Sequence, residues 1–465
     1  MHLPQAASPL KFFNSNHKTT MTMHPSLRLA ALALCATSLP FAHAAESVPP
    51  LQSAISTPMG KLFQQPAIKQ ALAFIEKNEP KTLANTKAIN AIAAPTFEEG
   101  KRASDIAERF RKLGLEQVNI DDAGNVMGTY KGSGNGPTVM LAAHLDTVYP
   151  MATDLTLTEK DGRLYAPGIA DNARSLAAML TIAEAMKAAK IQTDGDVIFC
   201  GNVGEEGLGD LKGVKRIFAQ HKEIKAFIGL EPTLGGDDGE PVTYLATGSR
   251  RYKISFKGPG GHSYEAFGLP SAIHALGRAV AHIDDLRVPT DPKVTFNVGV
   301  IDGGQSVNTI SGAASMLVDM RSEDKAALAL VEKQILAAVQ QGVDETNKRW
   351  NSSAIKAEPV LIGDRPAGKM AVTSPIVQVA LAASSVQGRK PALDSAHSTD
   401  ANLPMSLGIP SITMSGGGAS SGIHSAKNEW WAPVNAHYGP QNVMLTLLGL
   451  AGVKDVQPSL LDAKP

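Results

Sequence analysis

The chain is short of cysteine, of net charge and of long apolar runs, and each shortage narrows what it can be. Two cysteines occur in 465 residues, Cys35 and Cys200. Cys35 falls in an N-terminal segment expected to be removed, so Cys200 has no partner for an internal disulfide. A core of the size that this length allows does not need one. Cys200 sits in the apolar run "DVIFC" and reads as a small buried hydrophobe. Basic and acidic residues balance at 44 each. With no basic face or charge run, nucleic acid is not an expected partner. Hydrophobic residues at 43% and charged residues at 19% fit a soluble globular protein.

The N-terminus reads as a leader rather than as part of the fold. From Met21 or Met23 the sequence is "MTMHPSLRLAALALCATSLPFAHA", with Arg28, an apolar stretch from Leu29 to Leu39, and Ala42-His43-Ala44. That is the pattern of a cleavable secretory signal, residues 1–44, with cleavage after Ala44. Residues before Met21 read as an upstream extension. The apolar stretch is too short to serve as a membrane anchor. Leu34, ahead of Cys35, is too large for a usual lipid-attachment site. A periplasmic or secreted protein is expected. Glu46–Thr57 reads as a linker.

Strand-like and helix-like segments then alternate. "PAIKQALAFIEKN" and "GKRASDIAERFRKLGL" have helical periodicity, the second stopping at Gly114. "QVNIDDAGNVMGTYKG" reads as a hairpin. Strands ending at His144, over Asp196–Val203 and over Ala226–Leu230 alternate with helices over Ser175–Lys190 and Leu211–His221. Such alternation predicts an α/β domain with a mostly parallel sheet. Near Thr247 the pattern changes. "RRYKISFKG", "TFNVGVI" and "ASMLVDMRS" alternate apolar and polar residues, as half-exposed antiparallel strands do, with two helices between and after them. That is an α+β sandwich in the order strand, helix, strand, strand, helix. The α/β pattern returns after Ile362. The expected organisation is a first catalytic segment over 45–247, an inserted unit over 248–361 and a second catalytic segment over 362–465.

Polar residues gather at the ends of the α/β strands. His144 and Asp146 close one strand, Glu205 and Glu206 follow another, and Glu231 closes a third. Asp171 precedes a helix in "PGIADNARS", and His424 follows the glycine-rich turn after "PSITM". Ligands bind at the carboxyl ends of strands in such sheets. Taken singly, His-x-Asp or Glu-Glu is compatible with a solvated loop; shared position makes them a candidate site. Imidazole and carboxylate donors without thiolate suit zinc, or cobalt and manganese at lower affinity. Two histidines and three carboxylates suffice for two divalent ions if one carboxylate bridges. One glutamate of the Glu205-Glu206 pair is then free to act as a base.

The motifs "HLDTV", "GIADNARS", "GEEGLGD", "LEPT", "GPGGHSYEA", "VNTISGAASMLVDMRS", "STDANLP" and "GIHSAKNEW" occur in that order. In these the chain resembles the dimetal exopeptidase and deacylase family of glutamate carboxypeptidase, aminoacylase, succinyl-diaminopimelate desuccinylase and peptidase T. The resemblance runs from about Pro66 to Gly449. It implies that His144 and Glu231 bind one zinc, that Glu206 and His424 bind the other, and that Asp171 bridges them. It further implies that Asp146 orients His144, that Glu205 is the general base, and that the Asp171-Asn172 peptide is cis. The inserted unit becomes a lid that also pairs two chains into a homodimer. His262 then supports an oxyanion, in a dimer that of the partner subunit, while Asn308 and Arg321 contact substrate. Glutamate at position 231 leans toward carboxypeptidases and deacylases, hence toward small peptides or N-acyl amino acids cleaved beside a free carboxylate. Dipeptidase or aminopeptidase action is the alternative within the family, and a non-catalytic binding protein the alternative outside it. His397, in "SAHSTDAN", borders the site in relatives. "GASSG", Gly418 to Gly422, fits a serine-hydrolase elbow by pattern, but no helix is expected after Ser420, as that elbow requires.

Overall fold

The computed structural model describes residues 48–232 and 240–463. The leader, its cleavage site and Cys35 lie outside the described residues. Among the described residues no helix is long and apolar enough to cross a membrane.

A six-stranded sheet forms the centre. Its spatial order is Glu116–Ile120, Val126–Tyr130, Val197–Asn202, Thr138–His144, Ile224–Glu231, Ser411–Ser415. The last four run parallel, and the hairpin Glu116–Ile120/Val126–Tyr130 adds an antiparallel edge. The hairpin turns where Asp121 Oδ1 accepts the N–H groups of Ala123, Gly124 and Asn125, each at 2.9 Å. Both faces of the parallel strands are covered, which explains their unbroken apolar sequences. In Thr138–His144 the odd residues Val139, Leu141 and Ala143 face the helices Ser175–Ala188, Pro375–Val386 and Tyr438–Ala451. The even residues Met140 and Ala142 face the helix Lys212–Gln220. Leu141 is fully buried, and truncating it to alanine costs about 2–5 kcal/mol.

A second sheet has the order Val294–Gly303, Ala313–Ser322, Gly248–Lys257, Lys356–Arg365, antiparallel throughout. Helices Ala272–Asp284 and Lys325–Arg349 pack on it around Ile254, Phe256, Met316, Val318, Leu276 and Val331. The two helices approach closely at Gly342, where an added Cβ would lie 2.6 Å from the backbone nitrogen of Ala279.

Three features depart from the sequence reading. The segment read as a linker over Glu46–Thr57 overlaps a helix, Ser53–Gln64, whose Pro58 and Gly60 weaken its helical signature. The second sheet has a fourth strand, Lys356–Arg365, that runs past the expected boundary at residue 361. Pro359 argues against a central strand, and this one is an edge. A small antiparallel sheet of Thr158–Lys160, Arg163–Tyr165, Trp430–Ala432 and Ala419–Ser421 was also unexpected.

Candidate active site

The parallel strands deliver their last residues to one crevice. His144 ends its strand, Glu231 ends the neighbouring one, and Glu205-Glu206 follow the strand Val197–Asn202. His424 comes from the loop after Ser411–Ser415, and Asp171 from the turn before the helix Ser175–Ala188. A cavity of about 230 Å³ is lined by all six of these residues.

Asp171 is the hub. Its Oδ1 lies 3.0 Å from His144 Nε2, and its Oδ2 lies 3.3 Å from His424 Nε2. Glu231 Oε2 is 3.6 Å from His144 Nε2, and Glu206 Oε1 is 2.9 Å from His424 Nε2. The donors therefore form two groups, His144 with Glu231 and His424 with Glu206, sharing one aspartate. Asp171 Oδ1 is buried without a hydrogen-bond partner of acceptable geometry despite its approach to His144. An oxygen in that state, facing an imidazole nitrogen and two further carboxylates, suits a cation between them. Ligand atoms of His144, Asp171 and Glu206 all lie within 4.8 Å of one another. The Asp171-Asn172 peptide is cis, and Asn172 Nδ2 donates to the Leu230 carbonyl at 2.8 Å, tying this turn to the strand bearing Glu231.

Electrostatics agree with that fit. Burial opposes a charged His144, but Glu231, Asp146 and Asp171 outweigh it and raise its pKa. Asp171 and Glu206 push His424 up to about 10 against its burial. Burial would raise Asp171, but both histidines hold it well below the usual carboxylate range. Burial lifts Glu231 to about 7, with His144 opposing. The cluster thus favours positive charge among its donors.

Asp146 does more than face His144. His144 Nδ1 lies 3.0 Å from the Asp146 carbonyl and 3.5 Å from its carboxylate, so the main chain is the nearer partner. With Nδ1 donating there, Nε2 presents its lone pair to the cavity. The carboxylate itself accepts the N–H groups of Glu205 and Glu206 at 3.1 and 2.9 Å, and the Thr96 hydroxyl at 2.9 Å. One side chain thereby holds both glutamates.

Glu205 is paired with a residue not singled out from the sequence. Arg365 Nη1 donates to Glu205 Oε1 at 2.9 Å, and its Nη2 bonds the Glu205 carbonyl. Both side chains are buried. Burial raises Glu205 to about 8, with Arg365 pulling it down and Glu206 pushing it up. A carboxyl so poised can exchange a proton near neutrality. Arg365 ends the fourth strand of the second sheet, and its one sequence signal is Pro366 after it. Asp400 was also missed: it is 3% exposed, accepts from Asn202 Nδ2 at 2.7 Å, and is raised to about 7 by burial.

The second sheet contributes Arg251 and Arg321 to the cavity. Asp319 holds both, its two oxygens lying 3.0 Å from Arg251 Nε and 2.8 Å from Arg321 Nε. His397 lines the cavity too and pairs with Asp394 at 3.2 Å. His262 and Asn308 do not line the cavity of their own chain. They are exposed side by side on a two-stranded ribbon in which His262 pairs with Thr309. Ser420 lies in the short strand Ala419–Ser421, and no helix follows it, so the serine elbow is absent.

Comparison with known proteins identifies the family. The model of peptidase family M20/M25/M40 matches residues 140–445. Succinyl-diaminopimelate desuccinylase of Nitrosococcus oceani is 28% identical over 256 residues, 52% of this chain and 68% of that protein. The structure of aminopeptidase PepT from Bacillus cereus aligns with a TM-score of 0.63 at 23% identity, over 79% of this chain and 97% of that one. A dinuclear metal-binding peptidase of the M20 family from Bacillus subtilis aligns with a TM-score of 0.61 at 16% identity, over 82% and 99%. At such identities the structural likeness shows the fold, while the family match covers most of the chain, including every residue of the crevice. The chain is a hydrolase of amide bonds and belongs to peptidase family M20/M25/M40.

Proposed function

We propose that this protein is an exported, dimetal-dependent hydrolase that cleaves an amide bond of a small peptide or N-acyl amino acid beside a free carboxylate. The observation that carries the reading is the sharing of Asp171, one oxygen toward each histidine. His144, Asp171 and Glu231 would hold one divalent ion, and Asp171, Glu206 and His424 the other. The donor set suits zinc, with cobalt or manganese as substitutes. Bound there, the ions supply carbonyl polarisation and a lowered water pKa.

The chain's own groups do the rest. Glu205 takes a proton from the attacking water and delivers it to the leaving amine. Arg365 draws the Glu205 pKa down against burial and aims its carboxylate. Arg321, with Arg251 beside it, grips the substrate carboxylate, a task suited to a guanidinium fork. Asp146 keeps His144 and the glutamate pair in register. His262 donates to the developing oxyanion, and Asn308 contacts substrate beside it. Both belong in a partner subunit's crevice, because neither lines its own. Exposed Tyr264, Phe267 and Val307 near them support a homodimer formed through the second sheet and its helices. The N-terminal pattern of residues 1–44 supports export to the periplasm or medium.

The test is product detection by mass spectrometry on zinc-loaded protein. The substrates are free dipeptides, the same dipeptides with blocked N-termini, and N-acyl amino acids. Cleavage of blocked compounds is expected. Cleavage of only the free-amino compounds would instead make the protein a dipeptidase or aminopeptidase.

A further inference from the structure

Three ligand-bearing segments meet at the site from distant parts of the chain. They are the turn after His144, the turn holding Asp171, and the loop holding His424. One buried side chain touches all three. Glu429 is 1% exposed. Its Oε2 accepts the Tyr149 hydroxyl at 2.6 Å and the Gly168 N–H at 3.0 Å. Its Oε1 accepts the N–H groups of Ala170 and Asp171 at 3.1 and 3.2 Å. Tyr149 lies five residues beyond His144, and Glu429 five beyond His424. The intervening loop is closed by the N–H of Glu429 donating to the Ser425 carbonyl at 2.9 Å, and that of Ser425 to Gly422 at 2.9 Å.

We propose that Glu429 is a positioning residue that sets the separation of the two metal sites by clamping the Asp171 turn to the His144 and His424 segments. The inference rests on the dimetal reading above. Four donors on two oxygens satisfy a buried carboxylate without a cation, and no lysine or arginine pairs with Glu429 among the described residues. Such a charge is tolerated only while its donors stay in place. Each donor it requires lies on, or beside, a segment that carries a ligand. It thereby complements Asp146, which holds the Glu205-Glu206 backbone in the same manner. A general packing role would not require hydrogen bonds to consecutive amides at the shared aspartate.

Glu429→Gln keeps the volume but turns one acceptor into a donor that must face an N–H or the Tyr149 hydroxyl. Zinc affinity, read by competition with a chromogenic chelator, should fall about 10–100-fold, the range for partners that orient ligands. The visible spectrum of the cobalt-loaded protein should change with it. Wild-type affinity and spectrum in Glu429→Gln, whatever its melting temperature, would overturn the proposal. Tyr149→Phe removes one donor of the four and should lose affinity severalfold. If Glu429→Gln does not fold, Tyr149→Phe decides, and unchanged zinc affinity there overturns the clamp. Failure of the wild type to bind zinc or cobalt sinks the dimetal reading; tight wild-type binding matched by the variants sinks this inference alone.

Discussion

Replacing Arg365 by methionine tests how the crevice controls its base. The guanidinium is buried, bonds Glu205 Oε1 at 2.9 Å and also holds the Glu205 carbonyl. Methionine fills much of the volume but leaves Glu205 beside Glu206 with no cationic side chain bonded to it. A hydrogen bond to a charged group contributes about 1.5–3 kcal/mol, which corresponds to roughly one to two pKa units. The sign follows from the pair. Arg365 favours the ionised carboxylate, so its loss raises the Glu205 pKa, and the carboxyl keeps its proton over more of the pH range. The acid limb of the kcat/KM profile should move up by about one to two units, with a ~10–100-fold loss below it. Arg365→Lys retains charge without the fork and should shift less. The assay is a pH profile on whichever blocked compound the wild type cleaves. An unmoved acid limb in Arg365→Met refutes the reasoning, and a rise in KM alone would assign Arg365 to substrate binding.

Four further outcomes are expected. Glu205→Gln should lower kcat by about 10²–10⁴ while the metal content stays at the wild-type level, as elemental analysis can show. Asp146→Ala frees the Glu205 and Glu206 amides while leaving the main-chain carbonyl to His144, so zinc affinity should fall about 10–100-fold through the misplaced glutamates. Because His424 in the metal-free site is raised to about 10 and His144 is raised too, zinc must displace protons; titration calorimetry in buffers of different ionisation enthalpy should show proton release and an affinity that climbs with pH. Ser420→Ala should leave kcat/KM unchanged while chelation abolishes it; the reverse pattern would revive a serine nucleophile.

Much of this site can be read from the chain because strand ends are local. An apolar run that stops at a histidine or glutamate places that residue at the carboxyl edge of a parallel sheet, and His144 and Glu231 sit there. The turn at Asp171 and the loop at His424 were legible through motif rather than periodicity. Arg365 and Glu429 were not legible, since their partners lie 160 and 258–280 residues away in the chain. An arginine ending an edge strand has no pattern that tells a buried partner from open solvent. The helix Glu79–Asn90 escaped notice for another reason: its buried face is Thr82, Thr86, Ile89 and Asn90, which makes no apolar stripe. His262 and Asn308 matched motifs, yet neither is among the residues lining its own chain's cavity.

The central claim is that one aspartate serves two metal ions. Equilibrium dialysis of wild type, Asp171→Asn and His424→Ala against zinc, followed by metal analysis, addresses it most directly. The account predicts two ions per chain in the wild type, one in His424→Ala and a loss at both sites in Asp171→Asn. A single ion in the wild type, or two retained by Asp171→Asn, would contradict it.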